Sequence, residues 1–362
     1  MSIVLYGATG YTGQLVTDEL VRRGATFTLS GRNPEKLAAL SAERGQGAPW
    51  RAVAADDLAG LRDLLADAAV VINCAGPFTL AGDALPAAAA QTGTHYLDST
   101  GEQTFMQQVF ERHGAEAERT GAALVPAMGF DYGPGDCLAR IVCRDHEPVQ
   151  DLVMAYAMEG FGMTRGTLRS GLEMVAGATV TYRDGAWVPQ DTGVLRASFT
   201  FPEPIGRQRM SRYPAGEVVT VPRHSDVRNV TALLTTRSAV PEPATLLMVY
   251  GEPLLAAVLK TPLRDVLGNA IGRLPEGPAE ADRRAARFTV VAVATGVDGS
   301  VTQGVVRGND VYGLTAVSLV WGALHMAAPG YDRRGPLGPA AAFDPDAYLG
   351  DMAPHGITYE VG

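Results

Sequence analysis

Apolar residues in the first third of this chain fall into short, nearly unbroken runs, and each run is followed by a stretch with helical spacing. Val4-Leu5-Tyr6 leads through Gly7-Ala8-Thr9-Gly10-Tyr11-Thr12-Gly13 into Gln14–Arg23, whose apolar positions recur at helical intervals. The same alternation continues with Thr26–Ser30 and Pro34–Arg44, where a proline sits in the first turn. Trp50–Ala55 precedes Leu58–Ala66, Ala69–Ala75 precedes the alanine-rich Asp83–Thr92, and His95–Asp98 precedes Gln103–Thr120. Ala122–Pro126 closes the series. A continuous run such as Ala69–Ala75 marks a strand buried on both faces. Strand and helix in strict alternation predict an α/β fold, a doubly wound sheet of about six parallel strands with helices on both faces.

The pattern then changes. Pro134–Arg144 reads as helix, Asp151–Glu159 as strand and Thr164–Val175 as helix. A β-rich stretch follows, with an Asp184-Gly185 hairpin turn and strands at Leu195–Phe201, Val218–Val221 and Val230–Thr235. Pro241–Leu274 reads as two helices broken near Thr261-Pro262. Arg287–Thr295 and Val301–Arg307 flank a turn at Asp298-Gly299, and Val311–Ala328 is a last long helix. The Pro- and Gly-rich tail after Gly330 suits a surface wrap. The expected organisation is a first domain over 1–132, a mixed α+β domain over 133–310, and a helix and tail over 311–362 that return to the first domain.

Composition narrows the function classes. The chain has 362 residues, 46% of them hydrophobic and 19% charged, enough to bury a core in two domains. A net charge of −9 argues against a nucleic-acid or anionic-membrane surface. Lys36 and Lys260 are the only two lysines. Cys74, Cys137 and Cys143 are three, set among apolar residues and without CxxC spacing, which fits a reducing, cytoplasmic setting. The histidines do not cluster, so no metal site is expected. Val311–Tyr331 is uncharged and long enough to raise a membrane span, but its Gly, Thr, Ser, His and Pro residues favour a buried helix.

The chemistry starts at Gly7–Gly13. Gly7 permits a backbone angle that side chains resist, Gly10 lets the chain approach a phosphate, and Gly13 lets the helix pack on its strand. With Thr9, Tyr11 and Thr12 these residues make a site for a dinucleotide pyrophosphate at a helix N-terminus. An NAD-selective site would carry Asp or Glu after the second strand. Ser30, Arg32 and Asn33 stand there instead, with Lys36 one turn on, and a cation with hydroxyl and amide donors suits the 2′-phosphate of NADP. Asp56 either contacts the adenine ribose or caps the next helix. Asn73-Cys74-Ala75-Gly76-Pro77-Phe78 lies at the carboxyl end of the fourth strand, where ligands of open α/β sheets bind. Ala75 and Gly76 admit a nicotinamide ribose, Pro77 and Phe78 would press on the ring, and Cys74 reads as a buried small residue in preference to a nucleophile. Asp98 and Glu102 orient groups near the nicotinamide, or the polar run serves a helix cap at Ser99 or Thr100 before Gln103. After the sixth strand, Tyr132 or Asp131 would donate a proton following hydride transfer. The Tyr-x-x-x-Lys pair of classical short-chain dehydrogenases is excluded, because residues 32 and 256 are Arg and Ala, which leaves only an atypical member lacking the motif.

Taken together, Gly7–Gly13, Ser30-Gly31-Arg32, Ile72–Phe78, Tyr96-Leu97-Asp98 with Gly101-Glu102, and Gly129-Phe130-Asp131 resemble the saccharopine dehydrogenase-like reductases. Within that group the set is most similar to the trans-acting enoyl reductase branch of actinobacterial lipid and polyketide pathways. The resemblance covers about the first 140 residues and extends weakly through Gly166-Thr167 and Asp310–Thr315. It implies a Rossmann-type domain, an inserted mixed α+β substrate domain, NADPH as hydride donor and a C-terminal helix that rejoins the first domain. Tyr132 and Gly133 stand where the family commonly has serine and a β-branched residue, and Gly135 replaces another serine. The resulting expectation is an NADPH-dependent reductase acting on a small or carrier-linked substrate in the cleft between domains. An enoyl C=C is the first choice of bond and an imine or carbonyl the second. A non-catalytic NADP-binding sensor or scaffold, a lipid-interface protein and a homodimer through the β-rich part are the other readings carried forward.

Overall fold

The computed structural model describes residues 2–130, 132–177, 179–191, 195, 197–239 and 268–362. They form two compact units, Met1–Gly133 with Tyr312–Asp344, and Pro134–Val311 with Pro345–Gly362. Strands of the described residues are numbered β1 to β16 in chain order.

In the first unit, β1 (Ser2–Tyr6), β2 (Phe27–Gly31), β3 (Trp50–Ala52), β4 (Ala68–Asn73), β5 (His95–Asp98), β6 (Ala123–Val125) and β15 (Gly335–Pro336) make one sheet. Its order is β15-β6-β5-β4-β1-β2-β3, and every pairing is parallel. The apolar runs are its cause: Ile3–Leu5, Val70–Ile72, Leu97 and Ala123–Val125 are all buried, as a strand covered on both faces requires. The chain leaves β1 towards β2 and β3, then returns to the other side of β1 at β4. That reversal opens a crevice at the carboxyl ends of β1 and β4. The helix Val311–Ala327 is largely buried. In it Thr315 Oγ1 accepts the Phe130 N–H at 3.0 Å, and Gly322 lies against Leu97 and Phe343. Among the described residues no helix is long and apolar enough to cross a membrane.

The second unit is built on a mixed sheet ordered β10-β11-β12-β7-β13-β14-β16, with the hairpin β8–β9 attached to β12. The strands are β7 (Val149–Glu159), β8 (Val180–Arg183), β9 (Ala186–Pro189), β10 (Ala197–Thr200), β11 (Arg207–Arg212), β12 (Val227–Thr235), β13 (Arg287–Gly296), β14 (Val301–Asn309) and β16 (Thr358–Val361). Asp184 and Gly185, at φ 50° and 79°, make the tight turn that this dipeptide favours. Ala155, Phe201, Met210, Val291 and Val305 are central to the core.

Two expectations change here. Val218–Val221 is not a strand: Glu217–Thr220 is a helical turn continued by a 3-10 turn at Val221–Arg223. Gly216 O accepts from Val219 and Thr220 N–H, and all four residues of the turn are buried, so tertiary packing overrides β-branched preference. The tail divides between the units. Tyr312–Asp344 belongs to the first, whereas Pro345–Gly362 belongs to the second, where β16 pairs antiparallel with β14 and supplies the partners that a sheet edge lacks. The expected helices over 241–274 fall mostly outside the described residues.

Candidate functional site

The crevice at the carboxyl ends of β1 and β4 depends on a close approach of backbone at Gly7. Gly7 has φ 77°, and a Cβ built on it would stand 2.6 Å from Ala75 N and 2.7 Å from the Cys74 carbonyl carbon. Only glycine fits both the angle and the approach. Its N–H and that of Ala8 donate to Ser30 O at 2.9 and 3.1 Å, tying the turn to β2. Gly10 opens the helix Tyr11–Arg22 with an extended backbone and no side-chain cap. The first turn of a helix so opened presents N–H groups and the positive dipole end to an anion. A Cβ on Gly13 would strike Gly7 O and stand 2.6 Å from Ala8 O, so the third glycine lets the helix lie against the turn. Thr9 and Thr12 are half-buried beside it, and the Tyr11 ring meets that of Tyr312 edge-on at 5.4 Å.

At the ends of β2 and β3 the residues divide by role. Ser30 is fully buried and its hydroxyl donates to Arg51 O at 2.8 Å, so it joins strands instead of offering itself to a ligand. Asn33 is the cap of the helix Pro34–Glu43, its Oδ1 accepting the Lys36 N–H at 2.9 Å. Arg32 and Lys36 are exposed and make no ion pair among the described residues. Asp57, not Asp56, caps the helix Leu58–Leu65, which leaves the exposed Asp56 carboxylate uncommitted to that cap. Burial raises the Tyr6 phenol, Arg32 lowers it and Asp56 raises it, so both charges sit near the Tyr6 hydroxyl, which donates to Val53 O at 3.1 Å.

Across the crevice, Cys74 N–H donates to Tyr6 O at 2.9 Å and Ala75 N–H donates to Asn73 Oδ1 at 3.0 Å. Asn73 is buried and acts on this turn from beneath. Burial, with Asp98 nearby, pushes the Cys74 thiol up, away from a thiolate nucleophile. Gly76 is exposed and Pro77 half-buried, but Phe78 is buried with its ring 5.5 Å from that of Phe105, a core position instead of a platform for a ligand ring. The Phe78 and Thr79 N–H groups donate to the buried Glu102 carboxylate at 2.9 and 2.8 Å. Glu102 thus anchors the helix that starts at Phe78.

Asp98 is fully buried at the end of β5. It accepts from Thr100 and Ala127 N–H and from the Tyr96 hydroxyl, while burial pushes its carboxyl up to about 7. Ala127 has φ 64°, a strained angle for a residue with a Cβ, held by the Asp98 bond. Tyr132 is fully buried and its hydroxyl donates to Gly101 O at 3.1 Å. That bond serves the loop and does not present a proton to a ligand, which differs from the expected role. Asp131 lies outside the described residues.

Residues 3–128, which carry all of this geometry up to the Gly129 loop, match the family described as saccharopine dehydrogenase NADP binding domain. This part of the chain is similar to a saccharopine dehydrogenase NADP-binding domain. Trans-acting enoyl reductases of Mycobacterium ulcerans and Mycobacterium leprae are each 40% identical over 139 residues, which is 37% of this chain and 33% of each relative. The aligned region therefore spans about a third of those relatives' length. Over the whole chain the fold resembles apo saccharopine dehydrogenase (L-Glu forming) from Saccharomyces cerevisiae, with TM-score 0.62, 14% identity and coverage of 100% and 99%.

The residues of this part fit an NADP cofactor: an uncapped helix start would take the pyrophosphate, and the exposed Arg32 and Lys36, just past β2, would take a 2′-phosphate. Sequence reasoning named Glu102 only as a group near the nicotinamide and missed Tyr96 as an organiser of the turns. The signal was present in the polar run His95–Glu102 at a strand end, but which backbone groups these side chains reach depends on distant chain. In the second unit a buried group went unread: Tyr156 Oη donates to Glu217 Oε1, and Asp136 accepts from Thr220 and lies 2.9 Å from His224 Nε2. Its signal was the charged residues within apolar stretches, Asp136 and Glu217. Among the described residues no group of three or more His, Cys, Asp or Glu is placed to hold a metal.

Proposed function

We propose that the chain is an NADPH-dependent reductase that transfers hydride to a polarised double bond, with an enoyl C=C as the first substrate class. The observation that carries this reading is the match of residues 3–128 to an NADP-binding domain, in which Gly7 lies against the Cys74–Ala75 turn at the β1–β4 crevice and Gly13 lets the helix lie against Gly7 and Ala8. The choice of C=C follows the names of the mycobacterial relatives, which match over this same region. In this reading Gly7, Thr9, Gly10, Tyr11, Thr12 and Gly13 hold the pyrophosphate, and Arg32, Asn33 and Lys36 receive the 2′-phosphate. Asp56 faces the adenosine ribose, and the backbone of Cys74, Ala75, Gly76 and Pro77 admits the nicotinamide ribose. Ser30, Asn73, Phe78 and Asp98 shape these turns from within. NADPH, when bound, supplies the hydride. The protein's part is to hold it, orient it and keep the sheet edge fixed.

Tyr132 is assigned to the loop, through Gly101, and not to proton donation. A thioester linked to a carrier and a setting in a lipid or polyketide pathway are part of this reading and rest on the sequence resemblance alone. A cytosolic location suits the free thiols Cys74, Cys137 and Cys143.

The test is NADPH oxidation with panels of enoyl thioesters, imines and ketones. Turnover on the enoyl panel is expected. Turnover confined to imines or ketones would move the assignment to that bond. Tight NADPH binding with no turnover on any panel would replace the reductase by a sensor or scaffold.

A further inference from the structure

Three side chains beneath the carboxyl edge of the first sheet form a directed line of hydrogen bonds. Asp98 Oδ1 accepts from the N–H groups of Thr100 and Ala127, both at 2.8 Å, and Oδ2 accepts from the Tyr96 hydroxyl at 2.7 Å. The Tyr96 oxygen accepts from Asn73 Nδ2 at 3.0 Å, and Asn73 Oδ1 accepts the Ala75 N–H at 3.0 Å. Asp98 and Tyr96 are fully buried and Asn73 is nearly so. The line ends at Ala75 N, 2.6 Å from the place a Gly7 Cβ would occupy. A buried carboxylate is thereby connected to the wall of the glycine turn.

The direction of this line depends on one proton. A carboxylate only accepts, a tyrosine hydroxyl has one proton to give, and a primary amide donates from one end and accepts at the other. A proton added to Asp98 goes to Oδ2, because Oδ1 already takes two backbone N–H groups. Oδ2–H then donates to Tyr96, and the Tyr96 proton needs a new acceptor. The group in line is Asn73, whose amide must turn to present Oδ1. Its Nδ2 then faces the Ala75 N–H, donor against donor, and that N–H loses its partner.

We propose that Tyr96 is a positioning residue for nucleotide binding, carrying the protonation state of Asp98 through Asn73 to the Cys74–Ala75 turn that faces Gly7. The proposal rests on the placement of the NADP(H) pyrophosphate at Gly7–Gly13. The titratable groups facing Asp98 are Tyr96 on its own strand, Cys74 after β4 and Glu102 before the next helix; from the β6 side it meets the Ala127 backbone. Burial raises both the Tyr96 phenol and the Cys74 thiol, so these two stay neutral near pH 7. Asp98 itself is pushed up to about 7, chiefly by burial, with Glu102 adding to the push.

The experiment measures NADPH affinity by fluorescence titration from about pH 5.5 to about pH 8.5, with hydrogen exchange of the Ala75 segment alongside. In the wild type the affinity falls about fivefold towards low pH, the worth of one buried hydrogen bond, and Ala75 exchange quickens. Ionisation of the 2′-phosphate is common to all proteins compared and is removed by difference. Asp98→Asn, whose amide donates to Tyr96 as the carboxylic acid would, stays in the low-affinity state throughout. Tyr96→Phe loses the pH dependence that is left after the phosphate is accounted for. A wild-type profile in Tyr96→Phe overturns the relay, and should that variant not fold, a wild-type profile in Asp98→Asn overturns it equally. Unchanged NADPH affinity in Gly7→Val would instead overturn the placement of the nucleotide.

Discussion

Gly13→Ala separates two physical effects that point in opposite directions. Gly13 lies in the helix Tyr11–Arg22, and alanine there would favour the helix by about 1 kcal/mol. The added Cβ would strike Gly7 O and stand 2.6 Å from Ala8 O and 2.8 Å from the Ala8 carbonyl carbon. All three neighbours are backbone, so no rotamer change relieves them. The helix start must retreat from the turn by about 1 Å to reach ordinary contact. Overpacking of this kind costs about 1–3 kcal/mol, and more where only backbone can yield, so a net loss of about 2 kcal/mol is expected. The same retreat carries the anion-facing N–H groups away from the crevice and should weaken NADPH binding at least tenfold. Urea unfolding and an NADPH titration read the two effects. Gly10→Ala is the internal control. Its Cβ would meet only Gly7 O at 3.5 Å and its φ of −79° suits any residue, so stability should hold within about 0.5 kcal/mol while NADPH affinity falls. A Gly13→Ala protein as stable as the wild type, with unchanged affinity, would refute the close-approach argument.

Three further outcomes are expected. Arg32→Glu should weaken NADPH binding by about 10–100-fold and leave NADH binding nearly untouched, because a charge-assisted bond to the 2′-phosphate is lost; equal loss for both nucleotides in paired titrations would remove Arg32 from that role. Folded Asp98 holds its proton up to about pH 7, whereas the ordinary value is 3.8, so the folded state binds more protons between these values and its contribution to stability falls as pH rises through that window. Asp98→Asn should therefore gain on the wild type in urea unfolding between about pH 5 and about pH 8, by at most about 3 kcal/mol; a gap that narrows would falsify the raised carboxyl. Gly135→Ala would drive a Cβ into Glu217 Oε1 and the Tyr156 hydroxyl, both buried, and should cost about 2–4 kcal/mol by urea unfolding, with a neutral result ruling out the packing described.

What could be read along the chain was what is local. The apolar runs Ile3–Leu5, Val70–Ile72 and Ala123–Val125 became strands because burial on both faces demands uninterrupted apolar residues, whereas the edge strand Trp50–Ala52 is exposed. The turns at Gly7 and at Asp184-Gly185 followed from the positive φ that glycine admits. The identity of the cofactor was also legible, since the lack of an acid and the presence of Arg32 after β2 is a choice of residue type. Side-chain assignments at the site were less so. Ser30 and Phe78 look like ligand contacts in sequence, and the fold turns one to Arg51 and the other to Phe105. Tyr132 looks like an acid, and the fold gives its proton to Gly101.

The sequence by itself therefore determined the order of strands and helices in the first unit, the glycine turn and the cation after β2, because each depends on neighbours within a few residues. Tertiary structure alone decided where the tail goes, that Val218–Val221 coils into helical turns, and that Asp98, Tyr96 and Asn73 lie in one line beneath Ala75. A strand brings residues from 23 positions away into hydrogen-bond range, as Asn73 and Tyr96 are. Only then is it settled which of a polar residue's several possible partners it meets, and whether it faces a ligand or the protein's own backbone.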